Sequence, residues 1–211
     1  MKLSILFTVY NQSKILRKQL DLLNNIDRDD VEIVISDDCS TENIEDIIAK
    51  YSNRNFKYYR NKNNLGHDRN ILKGIERCKG EYIFLFRTKD NVCINKIDDI
   101  ILFLEENKPG AVFYSAIDDD NKIHLKFKDR KYSRINGFFA VPAHPSGNLY
   151  RRDLLDTDTY NNFLTNSKFN FIVHQFMKLD ISLKSDIYTS SEVTWIYSKT
   201  LDNKDIAMNS S

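Results

Sequence analysis

The sequence lacks several features that define particular classes of protein. No window approaches the roughly 20 consecutive apolar residues of a membrane-spanning helix. The apolar run at the N-terminus, Leu3–Phe7, is too short for a signal peptide and is soon followed by polar residues. The three cysteines are odd in number and show no metal-ligand spacing, so we expect neither a disulfide framework nor a zinc site. These absences predict a cytoplasmic protein without a transmembrane segment in this chain.

An excess of one charge is also missing. Lys and Arg number 31 and Asp and Glu number 30, so the formal net charge is +1. This balance gives no general reason to expect a nucleic acid or an acidic membrane as a partner. The 211 residues contain no low-complexity segment and no internal repeat, and they suit one α/β domain with a full core.

The most informative stretch of the chain is Gly80–Asn91. Five apolar or aromatic residues, Tyr82–Phe86, are followed abruptly by the polar segment Arg87–Asn91. Apolar residues on both faces predict a strand buried on both sides, as in a parallel sheet covered by helices. A polar cluster at the carboxyl end of such a strand lies where open α/β sheets bind ligands. The alternative is an ordinary solvated turn after a core strand.

The first half of the chain alternates predicted strands and helices, which indicates right-handed βαβ units and a parallel sheet. The predicted strands are Leu3–Val9, Val31–Ser36, Phe56–Arg60, Tyr82–Phe86 and Ala111–Ala116. The predicted helices are Ile15–Asn24, Ile44–Tyr51 with Ser40 or Thr41 as its cap, Asp68–Cys78, and Ile97–Glu106 stopping before Pro109.

The second half has a different pattern. Lys122–Lys128 alternates apolar and polar residues, which predicts an antiparallel or edge strand, and Lys128–Pro145 is predicted to be a basic loop. The remaining predictions are helices at Leu149–Leu155, Tyr160–Leu164 and Phe169–Leu179, and closing strands at Ile187–Tyr188 and Val193–Tyr197. Residues 201–211 are polar and predicted to be a loose tail.

Four segments in order resemble the inverting, nucleotide-sugar-dependent family 2 glycosyltransferases, which have the GT-A fold. They are the strand and turn Leu3–Asn11, with Thr8 at the usual proline position as in the spore-coat polysaccharide type; Glu32–Ser40, with Asp37-Asp38; Asn64–Asn70, as Asn-x-Gly-x-x-Arg-Asn; and Gly80–Ile83, as Gly-Glu-Tyr-Ile. The resemblance implies a nucleotide-sugar-binding half over residues 1–116, with a mostly parallel central sheet flanked by helices. It also implies a smaller mixed acceptor half over residues 117–200.

By this resemblance, Thr8, Tyr10, Asn11 and Asp38 would bind the nucleotide. The ionised carboxylate of Asp38 would accept a hydrogen bond from the imide N–H of a uracil-like base. Alternatively, the Asp37–Ser40 region simply caps the next helix, and Tyr10 simply packs in the core.

Arg69, near the start of the third predicted helix, would reach the diphosphate or the base. A solvated arginine is the alternative. Together these roles predict one cavity that binds a nucleoside diphosphate. The residues that would line it are Thr8, Asp38, Arg69 and Asp90.

The chain departs from the family pattern after the fourth strand. The family has Asp-x-Asp there, whereas this chain has Arg87-Thr88-Lys89-Asp90, so only the last carboxylate remains. By resemblance, Asp90 would coordinate Mg²⁺ or Mn²⁺ bridging the diphosphate oxygens. Lys89, which also counts among the nucleotide-binding candidates, would partly replace the metal. Its alternative is a solvent-facing side chain.

The reaction also needs a base to take the proton of the acceptor hydroxyl. The family places an acid near the start of a late helix, and none occurs at Lys168–Gln175. His174 is the first candidate, because a neutral imidazole is a competent base near pH 7. His144 is the second and Asp180 a distant third. A histidine packed between layers is the alternative for His174.

The sequence therefore predicts an inverting glycosyltransferase that uses a nucleotide-sugar donor, with uridine diphosphate as the expected carrier, and a glycan or lipid-linked acceptor. It would act in the cytoplasm, at the inner face of the membrane, beside another transferase module or a second copy of itself. An inactive relative that binds nucleotide or a partner transferase is the alternative. A nucleotidyltransferase is disfavoured, because Thr8–Ser13 contains no glycine for a phosphate loop. A receiver domain would leave the second half unexplained.

Overall fold

The structure is a computed structural model that describes residues 1–51, 53–142, 144–166 and 172–199. The described residues form one mixed sheet with the strand order β3-β2-β1-β4-β9-β6-β10-β5, in which β7 pairs with β6 and β8 with β10. The strands are β1 (Leu3–Val9), β2 (Val31–Asp37), β3 (Phe56–Arg60), β4 (Tyr82–Arg87), β5 (Asn91–Val92), β6 (Ala111–Asp118), β7 (Ile123–Leu125), β8 (Arg130–Tyr132), β9 (Asn148–Arg151) and β10 (Ile187–Tyr197).

Helices cover both faces of this sheet. They are α1 (Ser13–Leu23), α2 (Ile44–Ile48), α3 (His67–Arg77), α4 (Ile97–Asn107), α5 (Asn136–Ala140), α6 (Thr157–Asn166) and α7 (Val173–Lys184). Buried side chains form two hydrophobic clusters, one containing α1, α2 and α4 and the other containing α3 and α7. Each cluster is the layer between helices and one sheet face. No helix in these ranges is both long enough and apolar enough to cross a membrane.

The predicted strand–helix alternation of the first half is confirmed. Strands β1, β2, β3 and β4 pair in parallel, and β1 lies between β2 and β4. Every residue of β2 is buried, which agrees with a strand covered on both faces. Helix α1 buries Leu16, Leu20 and Leu23 at helical spacing. Helix α4 ends at Asn107, where Lys108 takes a left-handed conformation just before Pro109.

The predicted helix at Leu149–Leu155 is wrong. Asn148–Arg151 is strand β9, followed by a single 3₁₀ turn at Arg152–Leu154. Strand β9 runs antiparallel between β4 and β6. Leu149 packs in one hydrophobic cluster and Tyr150 in the other, so successive side chains point to opposite sheet faces. This short apolar run therefore forms a strand and not a helix, because β4 and β6 pair with it on its two sides.

The second predicted helix is shorter than expected, and its predicted cap is wrong. Helix α2 covers only Ile44–Ile48, and Asn43 accepts the capping hydrogen bond from the Asp46 N–H. Ser40 and Thr41 instead bind the turn after β1: the Asn11 N–H donates to Ser40 Oγ (3.0 Å), and the Thr41 N–H donates to Asn11 Oδ1 (2.7 Å). These hydroxyl residues join two loops rather than begin a helix.

The late part of the chain is more regular than predicted. The expected loop at Lys128–Pro145 contains β8 and α5. The two expected closing strands are one strand, β10, with register irregularities between Ser190 and Trp195. The edge strand in Lys122–Lys128 is confirmed as the short β7, antiparallel to β6. Phe169, where the late helix was expected to begin, and the predicted tail lie outside the described residues.

Candidate active site

Six strands end at the same edge of the sheet. Strands β1 to β4 are mutually parallel, and β6 and β10 run in the same direction, because β9 is antiparallel to both β4 and β6. Their carboxyl ends carry Val9, Asp37, Arg60, Arg87, Asp118 and Tyr197. Strand β9 begins at this edge, preceded by His144, Ser146 and Gly147. Open α/β sheets bind their ligands at such an edge.

Asp38 lies at this edge and organises the loop before α3. Its carboxylate accepts hydrogen bonds from Asn61 Nδ2 (3.0 Å), the Leu65 N–H (2.8 Å) and the Gly66 N–H (2.8 Å). The side chain is 3% exposed. It does not cap α2, so that alternative is wrong. Three of the roughly four acceptor positions of the carboxylate are used inside the protein, and contact with a base stays a prediction.

Asp37, its neighbour, is completely buried. Ser40 Oγ donates to its Oδ1, while the Tyr58 hydroxyl (2.8 Å) and the Arg60 guanidinium (3.2 Å) donate to its Oδ2. This carboxylate therefore binds the ends of β2 and β3 together.

The first strand contributes three predicted nucleotide-binding residues. The backbone oxygen of Thr8 accepts a hydrogen bond from Thr88 Oγ1 (2.8 Å), which joins the ends of β1 and β4. Tyr10 is 43% exposed, so the alternative that it packs in the core is wrong. Asn11 has a positive φ of 50° and uses its side-chain oxygen to hold Thr41. Of the three, Tyr10 presents the most accessible side chain.

The family-like segment Asn64–Asn70 forms the end of the loop before α3 and the first turn of that helix. Arg69 is half-buried, and its Nη2 donates to Thr165 Oγ1 of α6 (3.3 Å). Asn70 is buried, and its Nδ2 donates to the Ser36 backbone oxygen (3.0 Å). His67 begins the helix. Sequence reasoning missed His67, although it lies inside a motif that the resemblance had already identified.

Asp90, the predicted metal ligand, is enclosed by protein donors. Its Oδ2 accepts from Arg87 Nε (3.0 Å) and from the Ser146 hydroxyl (2.5 Å), and its Oδ1 accepts from the Ser198 N–H (3.2 Å). The residue is 0% exposed. Ser146 also accepts from the Arg87 backbone N–H (2.9 Å). This carboxylate thus ties the end of β4 to the segment before β9 and to the end of β10.

These residues do not fit a divalent metal ion. Over the described ranges, no group of three or more His, Cys, Asp or Glu side chains could hold a metal. The carboxylate of Asp90 is already paired with a guanidinium, and the positions expected to be acidic carry Arg87 and Lys89. A hard cation prefers oxygen ligands and would meet positive charge here.

Lys89 is 4% exposed, so the alternative of a solvent-facing side chain is wrong. Its Nζ lies 5.3 Å from the centre of the Tyr197 ring, and the Arg87 guanidinium lies 5.8 Å from the same ring. Both cations thus lie against one aromatic side chain at the end of β10.

The two predicted bases lie near this group. Burial, followed by the charge of Arg87, lowers the pKa of His144 to about 4, and Ser146 donates its N–H to His144 Nδ1 (3.1 Å). His174, in the first turn of α7, is 5% exposed, which agrees with packing between layers. Burial, followed by the charge of His67, lowers its pKa to about 4. Both imidazoles are therefore neutral at pH 7. Asp180 instead accepts from Tyr160 and Lys184.

All four histidines of the chain lie at this edge. The His124 ring stacks on Tyr197 with centroids 3.9 Å apart and contacts the His144 ring at 5.4 Å. Burial lowers the pKa of both His67 and His174, the charge of His67 further lowers the pKa of His174, and the charge of Arg87 further lowers both. Their positions in the sequence are 50 or more residues apart for most pairs, so only the sheet brings them together.

Two cavities lie elsewhere than among the four residues predicted to line a common pocket. A cleft of about 390 Å³ lies at the opposite edge of the sheet, among Asn24, Asp27 and Arg54. A cavity of about 10 Å³ touches His144 and Ser146. Neither is lined by the expected set of Thr8, Asp38, Arg69 and Asp90. The carboxyl edge brings the predicted residues to one side of the molecule without enclosing those four in either cavity.

Comparison with known proteins identifies the family. The family model described as "Glycosyl transferase family 2" matches residues 4–176, most of the described chain. This chain belongs to glycosyl transferase family 2. Its strand order and layers correspond to the GT-A fold, as its structural neighbours show. The predicted family and fold class are therefore confirmed.

Two relatives illustrate the similarity. Abequosyltransferase RfbV of Salmonella typhimurium is 33% identical over 110 residues, which are 50% of this chain and 33% of that protein. Poly(ribitol-phosphate) beta-N-acetylglucosaminyltransferase TarS of Staphylococcus aureus is 28% identical over 171 residues, 76% of this chain and 29% of TarS. The chain thus spans about a third of the length of these curated relatives.

The TarS fragment 1-349 in complex with UDP-GlcNAc superimposes with a TM-score of 0.74 at 20% identity, covering 94% of this chain and 59% of that one. Mannosyltransferase PcManGT from Pyrobaculum calidifontis, in complex with GDP-Man and Mn²⁺, gives a TM-score of 0.67 at 12% identity, covering 98% of this chain and 59% of that one. At these identities the likeness establishes the fold alone.

Proposed function

We propose that this chain is an inverting glycosyltransferase that transfers a sugar from a uridine-diphosphate-linked donor to a glycan or cell-surface polysaccharide. The main support is the convergence of the family's motif residues at the carboxyl edge of the sheet. Relatives whose names state transfer to a ribitol-phosphate polymer, and a structural neighbour bound to UDP-GlcNAc, support the acceptor and donor classes.

In this proposal the exposed Tyr10 faces the nucleotide, and Asp38 acts chiefly by shaping the backbone of Leu65 and Gly66 around it. Arg69 lies in the first turn of α3, at the end of the helix where backbone N–H groups favour anions. These residues orient the donor, and orientation alone supplies a large part of the rate enhancement in group transfer.

The acceptor proton is taken by His144 or His174. Of the two residues, His144 is the more exposed. Ser146 links it to Asp90, because its N–H donates to His144 Nδ1 and its hydroxyl donates to the Asp90 carboxylate. A neutral imidazole can accept the proton as the acceptor oxygen forms its bond to the sugar. The low pKa makes it a weaker base than an ordinary histidine, so we expect a modest rate.

The test is release of uridine diphosphate from UDP-linked sugars in the presence of polysaccharide acceptor. We expect turnover by the full chain, a loss of about 100-fold or more in His144→Gln if His144 is the base, and little change in His174→Gln. The reverse ranking would assign the base to His174. Loss in neither variant would reject both histidines.

A second function is supported by a specific observation: Asp90 accepts hydrogen bonds from three protein donors, and the first turn of α7 contains no acid. Both features suit a relative that binds nucleotide without transferring sugar, or that binds a partner transferase. Such a protein would gain thermal stability from uridine diphosphate but release none from any UDP-sugar.

A further inference from the structure

The position where the family carries its first acid holds a fixed guanidinium in this chain. Arg87 is the last residue of β4, and its Nε donates to the completely buried Asp90 (3.0 Å). Its backbone N–H donates to Ser146 Oγ, which in turn donates to the same carboxylate. The side chain is 28% exposed and lies over Tyr197. The guanidinium therefore has one orientation imposed from several sides.

One donor of this guanidinium has no acceptor. Arg87 Nη2 is buried, and no described residue accepts a hydrogen bond from it. A guanidinium presents five N–H donors in a fixed fork that suits phosphate oxygens. A buried donor without a partner destabilises the protein, so such a group is a candidate for binding an acceptor from outside.

The local charge also favours an anion. The segment Arg87–Asp90 contains two cations and one carboxylate, and that carboxylate is already engaged by Arg87, Ser146 and Ser198. Burial is the main cause of the lowered pKa values of His67, His144 and His174, and the charge of Arg87 lowers each of them further.

We propose that Arg87, oriented by Asp90, binds the diphosphate of the nucleotide donor and takes the place of a divalent metal ion. This inference rests on the proposed nucleotide-sugar function. It replaces the sequence-based hypothesis that Lys89 does so: Lys89 is 4% exposed, whereas Arg87 combines a partly exposed side chain with a donor lacking an acceptor. Lys89 adds positive charge nearby from a residue that is almost completely buried.

The role in transfer follows from charge balance. The bond between the anomeric carbon and the diphosphate oxygen breaks, and its electron pair stays on the diphosphate. The acceptor oxygen forms the new bond to the anomeric carbon, and its proton passes to the imidazole base. Negative charge on the leaving diphosphate thus increases in the transition state, where a fixed guanidinium stabilises it without proton transfer.

The experiment measures the affinity of the full chain for uridine diphosphate and for uridine by calorimetry, each with EDTA and with Mn²⁺. We expect uridine diphosphate to bind equally well within about twofold in both conditions. Removing a charge-assisted phosphate contact weakens binding by about tenfold or more. That loss should appear for uridine diphosphate and not for uridine, which has no phosphate.

The variants are designed around the buried carboxylate. Arg87→Ala alone would leave Asp90 buried and unpaired and would risk unfolding the protein. The comparison is therefore between Asp90→Asn and the double variant Arg87→Ala/Asp90→Asn, which differ only in the guanidinium. Arg28→Ala, which removes an arginine paired with Asp30 at the opposite edge of the sheet, controls for net charge.

The outcomes separate this inference from the proposed function. Tenfold weaker binding of uridine diphosphate in the double variant than in Asp90→Asn, with unchanged uridine binding, supports the role of Arg87. Equal affinities in the two variants, or wild-type binding that requires Mn²⁺, overturns it while leaving the nucleotide site intact. If the folded wild type binds neither uridine nor uridine diphosphate, the proposed function fails, and this inference fails with it.

Discussion

Replacing Asp38 distinguishes a structural role from a ligand-binding one. In Asp38→Asn, one carboxylate oxygen becomes an amide nitrogen facing N–H donors. The least disruptive orientation places the amide toward the Gly66 N–H, because that group has a second acceptor in Asn64 Oδ1 (3.0 Å). The remaining oxygen keeps Asn61 Nδ2 and the Leu65 N–H, now without the negative charge.

The magnitude follows from these contacts. Two charged hydrogen bonds become neutral ones, and a third is lost, so we expect the free energy of unfolding to fall by about 2 kcal/mol. In Asp38→Ala the Leu65 N–H loses its acceptor, while Asn61 Nδ2 keeps Asn70 Oδ1 (3.1 Å). We expect a loss of about 4 kcal/mol there, because all three hydrogen bonds to the carboxylate are lost and the partly buried Leu65 N–H is left without an acceptor.

The assay is urea unfolding followed by circular dichroism, paired with uridine binding under folding conditions. Asp29→Asn is the matched control, because that carboxylate is exposed at the opposite edge and its removal changes the net charge equally. Uridine binding should weaken in Asp38→Asn through loss of loop order. An Asp38→Asn protein as stable as the wild type that no longer binds uridine would refute the structural account and favour direct contact with the base.

Three further predictions follow from other contacts. Gly147→Ala should lower the free energy of unfolding, measured in urea, by about 3 kcal/mol or more. The φ of Gly147 is +75°, and the new Cβ would lie 2.1 Å from Trp195 Nε1. A variant of wild-type stability would contradict this packing. Leu149→Ala should lower the free energy of unfolding, measured in urea, by about 2–5 kcal/mol, because Leu149 is completely buried. A decrease below about 1 kcal/mol would argue against β9 as a core strand. The low pKa of His174, about 4 against an ordinary 6.5, means that below pH 6.5 the unfolded chain binds a proton that the folded chain does not. The free energy of unfolding should therefore fall by up to about 3 kcal/mol between pH 6.5 and 4. A His174→Gln variant should lose that part of the pH dependence, and an unchanged pH profile would refute the shift. The charged and titratable groups that act on His174 and remain in the variant are His67, His144, Lys178 and Arg87.

The sequence predicted the first half of the fold well for a simple physical reason. Strands such as Val31–Asp37 are apolar on both faces, helices such as α1 carry a regular apolar stripe, and polar turns separate them. Local pattern and tertiary environment agree in these segments, so a local interpretation is sufficient.

The second half was harder, because its elements depend on partners far away in the chain. Leu149 and Tyr150 could belong to a helix or a strand by composition, and only the gap between β4 and β6 decided for a strand. Ser40 and Thr41 looked like caps but are bound by Asn11, about 30 residues earlier in the chain. Such competition between local and distant partners is invisible to propensity.

The order of residue types alone determined the family, the alternation of strands and helices, and the replacement of the expected acids by Arg87 and Lys89, because these are properties of adjacent residues. Tertiary structure alone decided what those residues do. It buried Asp90 beneath Arg87, Ser146 and Ser198, and it left one guanidinium donor without an acceptor. Hydrogen bonding and burial are set by groups up to 108 residues apart, which meet only when the strands share one edge.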